Sequence, residues 1–150
     1  MQNVFLLLIS MLVGSVVTCY LTLNSVLAKA VGSDLLANLP YFVLALLVTL
    51  CLLFMMDSPV PFGKLTEVPW YYLTAGLFAG GALYATTLLI GSVGPDKFFV
   101  ASVAGQLIIS VVLTHFGWLG TEQADIDWRK VLGVMMAIGG AVLVSWEVGK

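Results

Sequence analysis

The sequence predicts an all-α integral membrane protein with five transmembrane helices. Its composition and the spacing of its charges carry that prediction. Of the 150 residues, 61% are hydrophobic and only 9% are charged, and the mean hydropathy is +1.08. A water-soluble domain carries about 25% charged residues. So few charges would not keep this chain dispersed in water, and a bilayer is its expected solvent.

Five long uncharged runs separate the charged residues. The runs are Met1–Ala28, Leu35–Met56, Val68–Pro95, Phe98–Thr121 and Val131–Trp146. A helix rises about 1.5 Å per residue, so about 20 residues cross a hydrocarbon core of about 30 Å. The fifth run is short, but the long side chains at its ends can reach the headgroups. We predict helices at about residues 3–31, 34–56, 69–92, 96–116 and 129–147, in one domain over residues 1–150.

The first predicted helix lacks the basic segment and the A-x-A cleavage site of a signal peptide, so we expect it to be retained. Ser10, Gly14, Thr18 and Ser25 fall within roughly a quarter turn of one another along it. Small residues let membrane helices approach closely. Asn24 adds an amide, which either lines a cavity or lies nearer the membrane surface.

The second predicted helix has a clear start. Gly32, Ser33 and Asp34 are typical of a helix stop, an N-cap and a first-turn acid, respectively. Between the second and third helices, Met56–Trp70 carries three prolines and is predicted to be a loop.

The third predicted helix opens with Trp70, whose amphipathic ring favours the headgroup level. One face, at about 100° per residue, then holds Gly76, Gly80, Tyr84, Thr87 and Gly91. This face either packs against another helix or lines a path, with Tyr84 available to stack on a ligand.

The fourth predicted helix carries a polar stripe. Ser102, Gln106 and Ser110 lie within about 80° of one another. The serines alone could bond back to their own helix. An amide is harder to satisfy, because it has two donors and two acceptor lone pairs. An intramembrane amide faces the protein interior or a wet cavity, and we predict substrate contact through Gln106, Asn24, Ser110, Ser102 and Tyr84.

The fifth predicted helix places Gly133, Ala137 and Gly140 along one side. A helix face made of small residues lets a second helix approach closely. We predict that this face forms the main contact between two protomers.

Catalytic and metal-binding patterns are missing from the sequence. It has no H-E-x-x-H, no G-x-S-x-G and no P-loop. His115 is the single histidine, and we expect Cys19 and Cys51 to be small buried apolar side chains. The six basic residues are too scattered for a nucleic-acid surface. We predict no enzyme activity, no cofactor, no metal and no nucleic-acid partner.

A series of residues in the second half resembles a known family. It comprises Gly105-Gln106, Ser110, His115-Phe116-Gly117, Gly120, Arg129, Gly133 and Gly139-Gly140. The earlier part of the chain adds Asn24-x-x-Leu27, Gly32-Ser33, Ala37, Phe42, Trp70, Gly76, Gly80 and Tyr84. Together they resemble the YdcZ-like five-helix membrane proteins of the drug/metabolite transporter superfamily, which also holds the small multidrug resistance proteins.

The chain departs from the family pattern at three positions. Tyr20 stands where the pattern has Gln, Ala45 where it has Gly, and Thr114 where it has Asp. The loss of the acid beside His115 weakens a His–Asp proton pathway. Small multidrug resistance relatives also use a Glu in their first helix, whereas Met1–Ala28 holds no acid. We therefore do not assign to this chain the proton-coupled cation antiport of those relatives.

The resemblance implies a small-molecule exporter in the bacterial inner membrane. Two five-helix units would pair in a bundle like that of the small multidrug resistance proteins. The partner would be a second, inverted copy or an inverted homologous subunit. A non-transporting membrane assembly subunit is the alternative that the residues leave open.

Charge counting bears on the orientation of the chain. Cytoplasmic loops normally carry an excess of Lys and Arg. With five helices, Lys64, Arg129 and Lys130 fall on one side of the membrane, and Lys29, Lys97 and Lys150 fall on the other. Each side therefore carries three basic residues and neither orientation is favoured, so we predict dual topology and an antiparallel homodimer.

Overall fold

Five α-helices dominate the computed structural model, which describes residues 2–55 and 62–146. In chain order they are α1 (Gln2–Val31), α2 (Asp34–Phe54), α3 (Ala75–Val93), α4 (Pro95–Phe116) and α5 (Trp128–Ser145). Each lies in a span that is long and apolar enough to cross a bilayer. The predicted all-α, five-span architecture is confirmed over the described ranges, while the helix ends predicted at residues 56 and 147 lie outside them.

The connection between α1 and α2 is only two residues long. Gly32 has φ +71°, a left-handed conformation that glycine adopts without steric cost. The Ser33 hydroxyl then accepts a hydrogen bond from the Leu36 N–H at 3.3 Å, so it caps α2. The predicted helix stop and N-cap are confirmed here.

The third span begins with a 3₁₀ turn, Trp70–Thr74, before α3 continues as a regular α-helix. The Tyr72 N–H donates to the Pro69 carbonyl at 3.0 Å, which is a three-residue step. The Thr74 hydroxyl donates to the Tyr71 carbonyl at 2.6 Å and satisfies another backbone acceptor. In the preceding loop, Phe62–Thr66 forms a second 3₁₀ helix.

The chain divides into two compact units, Met1–Ser92 and Val93–Lys150. The buried residues of the first unit are small or polar at most positions, and α1, α2 and α3 all contribute. They are Asn24, Ser25, Ala28, Ala37, Asn38, Leu83, Thr87 and Ile90. They lie towards the end of α1, at the start of α2 and from the middle to the end of α3, so the described core of this unit is displaced towards one end of its helices.

In the second unit, α4 packs against α5, and the loop between them folds back on the end of α4. The Ala124 N–H donates to the Thr114 carbonyl at 2.8 Å. The Thr121 hydroxyl donates to the Leu113 carbonyl at 3.0 Å. The Thr114 carbonyl is one of the last four of α4, which have no partner within the helix itself, while the Leu113 carbonyl also accepts the N–H of the C-cap Gly117.

Most large apolar side chains are exposed on the chain surface, and Phe54, for example, is 87% exposed. Lipid is as apolar as these side chains, so a membrane protein need not bury them. Cys19 and Cys51 are free thiols on this exposed surface. The expectation that both are buried is wrong, because neither lies at the small core of the first unit.

Candidate functional site

Three polar side chains from three helices meet inside the first unit. The Asn24 amide donates from Nδ2 to Asn38 Oδ1 at 2.8 Å and to Thr87 Oγ1 at 2.9 Å. Thr87 Oγ1 lies 3.2 Å from Asn38 Oδ1 and 2.9 Å from the Leu83 carbonyl, so its one proton can serve either acceptor. Asn24 and Asn38 are each 6% exposed and Thr87 is 1% exposed. We call this group the Asn24–Asn38–Thr87 cluster.

The cluster meets the physical demand that a membrane interior places on polar groups. Both hydrogens of the Asn24 amide are donated, and the bonds connect α1 with α2 and with α3. The Ser25 hydroxyl adds a bond to the Thr87 carbonyl at 3.2 Å. Interhelical hydrogen bonds of this kind hold membrane helices together where apolar burial cannot. Substrate contact by Asn24 stays a prediction, and these contacts give the residue a structural role.

Asn38 is the member of the cluster that was not predicted from the sequence. It lies four residues after the start of α2, in an otherwise apolar stretch. Like Asn24, it carries an amide within a membrane span, and such an amide needs hydrogen-bond partners.

The polar face of α4 differs from the cluster because it is open. Gln106 is exposed and donates from Nε2 to Ser102 Oγ at 3.2 Å. Ser110 is also exposed, and its hydroxyl donates back to the Leu107 carbonyl at 2.9 Å. The structure therefore brings Gln106 and Ser102 together one helical turn apart. Most of the hydrogen-bonding capacity of the Gln106 amide remains available to a ligand or a partner.

Tyr84 lies on α3, in the first unit, and is 40% exposed. It follows Leu83, whose carbonyl accepts from Thr87, so the backbone beside it is fixed by the cluster. Its ring is accessible for stacking, and its contact with a substrate remains a prediction.

The predicted contact side of α5 borders an apolar groove. Ala137 and Gly140 line this groove together with Phe99, Val100 and Val103 of α4, and its volume is about 320 Å³. A Cβ atom added to Gly133 or Gly140 would meet nothing within 4 Å. Space is therefore available along this side of α5 for a lipid chain or a second protomer.

His115 lies in the last turn of α4. Its Nδ1 atom is buried and has no hydrogen-bond partner among the described residues. The neighbouring Thr114 hydroxyl donates to the Ser110 carbonyl at 2.9 Å, within the helix. Across the described ranges, no group of three or more His, Cys, Asp and Glu is placed to hold a metal ion.

Five apolar spans with a polar face on one of them define a multi-pass membrane protein. A family model described as "Putative inner membrane exporter, YdcZ" matches residues 5–143. The match covers nearly the whole chain, so the protein belongs to the YdcZ family and is a multi-pass protein of the inner membrane. An exporter family is a transporter class and not an enzyme class. Comparisons with curated proteins and with solved structures gave no match.

Proposed function

We propose that the protein exports a small molecule through a polar cavity at the interface of two inverted five-helix protomers. The observation that carries this proposal is the open polar face of α4, formed by Ser102, Gln106 and Ser110. Exposed amides are costly in hydrocarbon, so this face belongs against water, a ligand or another polar surface.

The family supports the direction and the class of function, because its description is that of an inner membrane exporter. Inverted repeats around a site near the bilayer midplane are a common transporter architecture, since the two halves can exchange roles as access alternates. The even distribution of basic residues supports inverted copies of this one chain.

Gln106 is the residue to which we assign the main substrate contact. Ser102 holds one side of its amide at 3.2 Å, which fixes the orientation of the group along α4. The amide carbonyl and the second N–H can then bond to a polar ligand. Ser110, one turn further on, offers its hydroxyl oxygen as an acceptor while its proton is donated to Leu107.

The test is efflux from proteoliposomes loaded with a defined mixture of amphiphilic and polar metabolites and analysed by mass spectrometry. We expect protein-dependent loss of at least one compound. For that compound, Gln106→Leu should lower the rate about three- to tenfold, which corresponds to one lost hydrogen bond. Because Gln106 is exposed, its replacement should leave expression and elution from a sizing column unchanged.

Ser10 supplies a matched control for Ser110. Both are exposed, and each hydroxyl donates to a carbonyl of its own helix at 2.9 Å. Ser110→Ala should slow efflux, whereas Ser10→Ala should not. Equal effects of the two changes, or no protein-dependent efflux of any compound, would favour the non-transporting assembly subunit.

A further inference from the structure

A polar cavity lies in the first unit, where α1 ends, α2 begins and α3 ends. Its volume is about 290 Å³. The polar residues that line it are Ser25, Lys29, Ser33, Asp34 and Ser92, and Gly91 lies on the α3 side. The cavity belongs wholly to the first unit, and none of the residues assigned to substrate contact lines it.

Two opposite charges face this cavity without neutralising each other. Among the described residues, the side chains of Lys29 and Asp34 form no ion pair within 4.0 Å and no hydrogen bond. Charges at the edge of a membrane gain from a partner, because the nearby hydrocarbon weakens their hydration. A ligand that carries both signs could satisfy the two groups together.

The serines of the cavity wall each make one hydrogen bond within the protein. The Ser25 hydroxyl donates to the Thr87 carbonyl at 3.2 Å, and the Ser92 hydroxyl donates to the Leu88 carbonyl at 2.8 Å. Ser33 Oγ accepts from the Leu36 N–H as the cap of α2. The wall is therefore held in place, and the Lys29 ammonium and the Asp34 carboxylate are the charged groups left for a ligand.

Gly91 keeps the cavity open on the α3 side. A Cβ atom at this position would lie 3.5 Å from Cε of Lys29 and 3.5 Å from Oγ of Ser25. That separation is ordinary van der Waals contact, so alanine would fit. A larger side chain would extend over the Lys29 stem and fill the space that a ligand would use.

The cavity lies at the depth of the lipid headgroups. The 30 residues of α1 span about 45 Å, which is longer than a hydrocarbon core of about 30 Å. Lys29 is in the last turn of α1 and Asp34 is in the first turn of α2. Both residues therefore sit where one end of the first unit leaves the hydrocarbon.

We propose that this cavity binds a zwitterionic phosphate–ammonium group, with Lys29 on the phosphate and Asp34 on the ammonium. An anion alone would place a negative charge beside the Asp34 carboxylate. A cation alone would place a positive charge beside the Lys29 ammonium. Two sources carry this chemistry, the headgroup of phosphatidylethanolamine and free phosphoethanolamine. The proposal does not depend on the exporter function.

Native mass spectrometry of the detergent-purified protein measures this binding directly. The probes are phosphatidylethanolamine, phosphatidylcholine and free phosphoethanolamine. We expect one phosphatidylethanolamine per chain to bind more tightly than phosphatidylcholine, whose trimethylammonium group has no N–H to donate. Lys29→Gln should weaken phosphatidylethanolamine binding about tenfold, as expected for a lost charge-assisted hydrogen bond.

Three further variants separate the cavity from general lipid attraction. Asp34→Asn should remove the preference for phosphatidylethanolamine over phosphatidylcholine. Gly91→Leu should weaken binding about as much as Lys29→Gln, while Gly91→Ala should bind like the wild type. Lys64→Gln, a change at an exposed lysine in the 3₁₀ helix Phe62–Thr66, is the matched control and should have no effect.

The two sources give different results with the soluble probe. If free phosphoethanolamine binds with the same dependence on Lys29, the cavity takes the soluble molecule. If only the lipid binds with that dependence, the cavity takes the headgroup. Equal binding by the wild type, Lys29→Gln and Lys64→Gln would overturn the proposal, as would the absence of binding by any probe.

Discussion

Asn24 shows how a single amide can organise three membrane helices. Its Nδ2 group bonds to Asn38 of α2 and to Thr87 of α3, and these two partners lie 3.2 Å apart. Each interhelical hydrogen bond in a membrane contributes on average about 0.6 kcal/mol and at most about 1.7 kcal/mol. The cluster therefore contributes on the order of 2 kcal/mol to the packing of the first unit.

Thr87→Val tests the cluster with little change of shape. The valine keeps the volume near Asn24 and Asn38 but offers neither an acceptor nor a proton. We expect a loss of stability of about 1–2 kcal/mol, seen as a lower midpoint of thermal unfolding in detergent.

Thr49→Val is the matched control for this change. Thr49 is exposed on α2, and its hydroxyl donates to the Ala45 carbonyl at 2.8 Å. Its replacement should change stability by less than about 0.5 kcal/mol. If the two variants have the same unfolding midpoint, the cluster contributes no more to stability than a threonine hydroxyl bonded to a carbonyl of its own helix.

The contacts of single residues were the least predictable part of the molecule. A helical wheel places Asn24 and Thr87 each on a face of its own helix, but it does not say which faces meet. The partner of Asn24 depends on how α1 and α2 pack, and that follows from the two-residue connection at Gly32 and Ser33. The pairing of Asn24 with Asn38 could therefore not be predicted from the sequence, although the amide of Asn38 alone marks it as a residue that needs partners.

The helices themselves were largely predictable. Uncharged runs of sufficient length located all five spans, because the energetic cost of charge in hydrocarbon is large compared with helix propensity. The 3₁₀ start at Trp70–Thr74 was not predicted, since it depends on Pro69 and on local backbone bonds. The polar face of α4 was predicted from its four-residue spacing, and the structure shows Gln106 and Ser102 bonded along it.

At α5, Gly140→Leu tests the predicted contact between protomers. The glycine has open space around it within the chain, so the leucine should not disturb the fold of the protomer. It should prevent close approach of a second helix and weaken dimerisation at least about tenfold, or about 1.4 kcal/mol. Light scattering on a sizing column in detergent measures the shift towards monomer.

Gly14→Leu gives the control for that measurement. Gly14 of α1 also has nothing within 4 Å of an added Cβ, so the added bulk is the same. A dimer that resists Gly140→Leu but dissociates with Gly14→Leu would move the interface from α5 to α1.

At the scale of the whole molecule, the charge pattern predicts that the protein inserts both ways. Lys64, Arg129 and Lys130 oppose Lys29, Lys97 and Lys150, of which Lys150 lies outside the described residues. A reporter active only in the cytoplasm and another active only outside it should both give signal when fused to the C-terminus. Both signals are expected because neither orientation places more Lys and Arg in the cytoplasmic loops than the other does.

Adding two lysines near the N-terminus should fix that end in the cytoplasm and leave only one reporter active. Efflux should then fall, because inverted pairs can no longer form. Full activity of uniformly oriented protein without a partner would exclude the antiparallel homodimer, and signal from one reporter in the unaltered chain would exclude dual topology.

The short connection at Gly32 and Ser33 also bears on the order in which the chain is assembled during synthesis. Asn24 and Asn38 are 14 residues apart in sequence, whereas Asn24 and Thr87 are 63 apart. A hairpin of α1 and α2 can therefore enter the bilayer with its two amides already paired, which lowers the cost of placing either one in lipid. Thr87 arrives only when α3 emerges from the ribosome. We therefore expect α3 to pack against an Asn24–Asn38 pair that has already formed. The hydrogen bond from Asn24 to Thr87 would then be the last of the cluster to form.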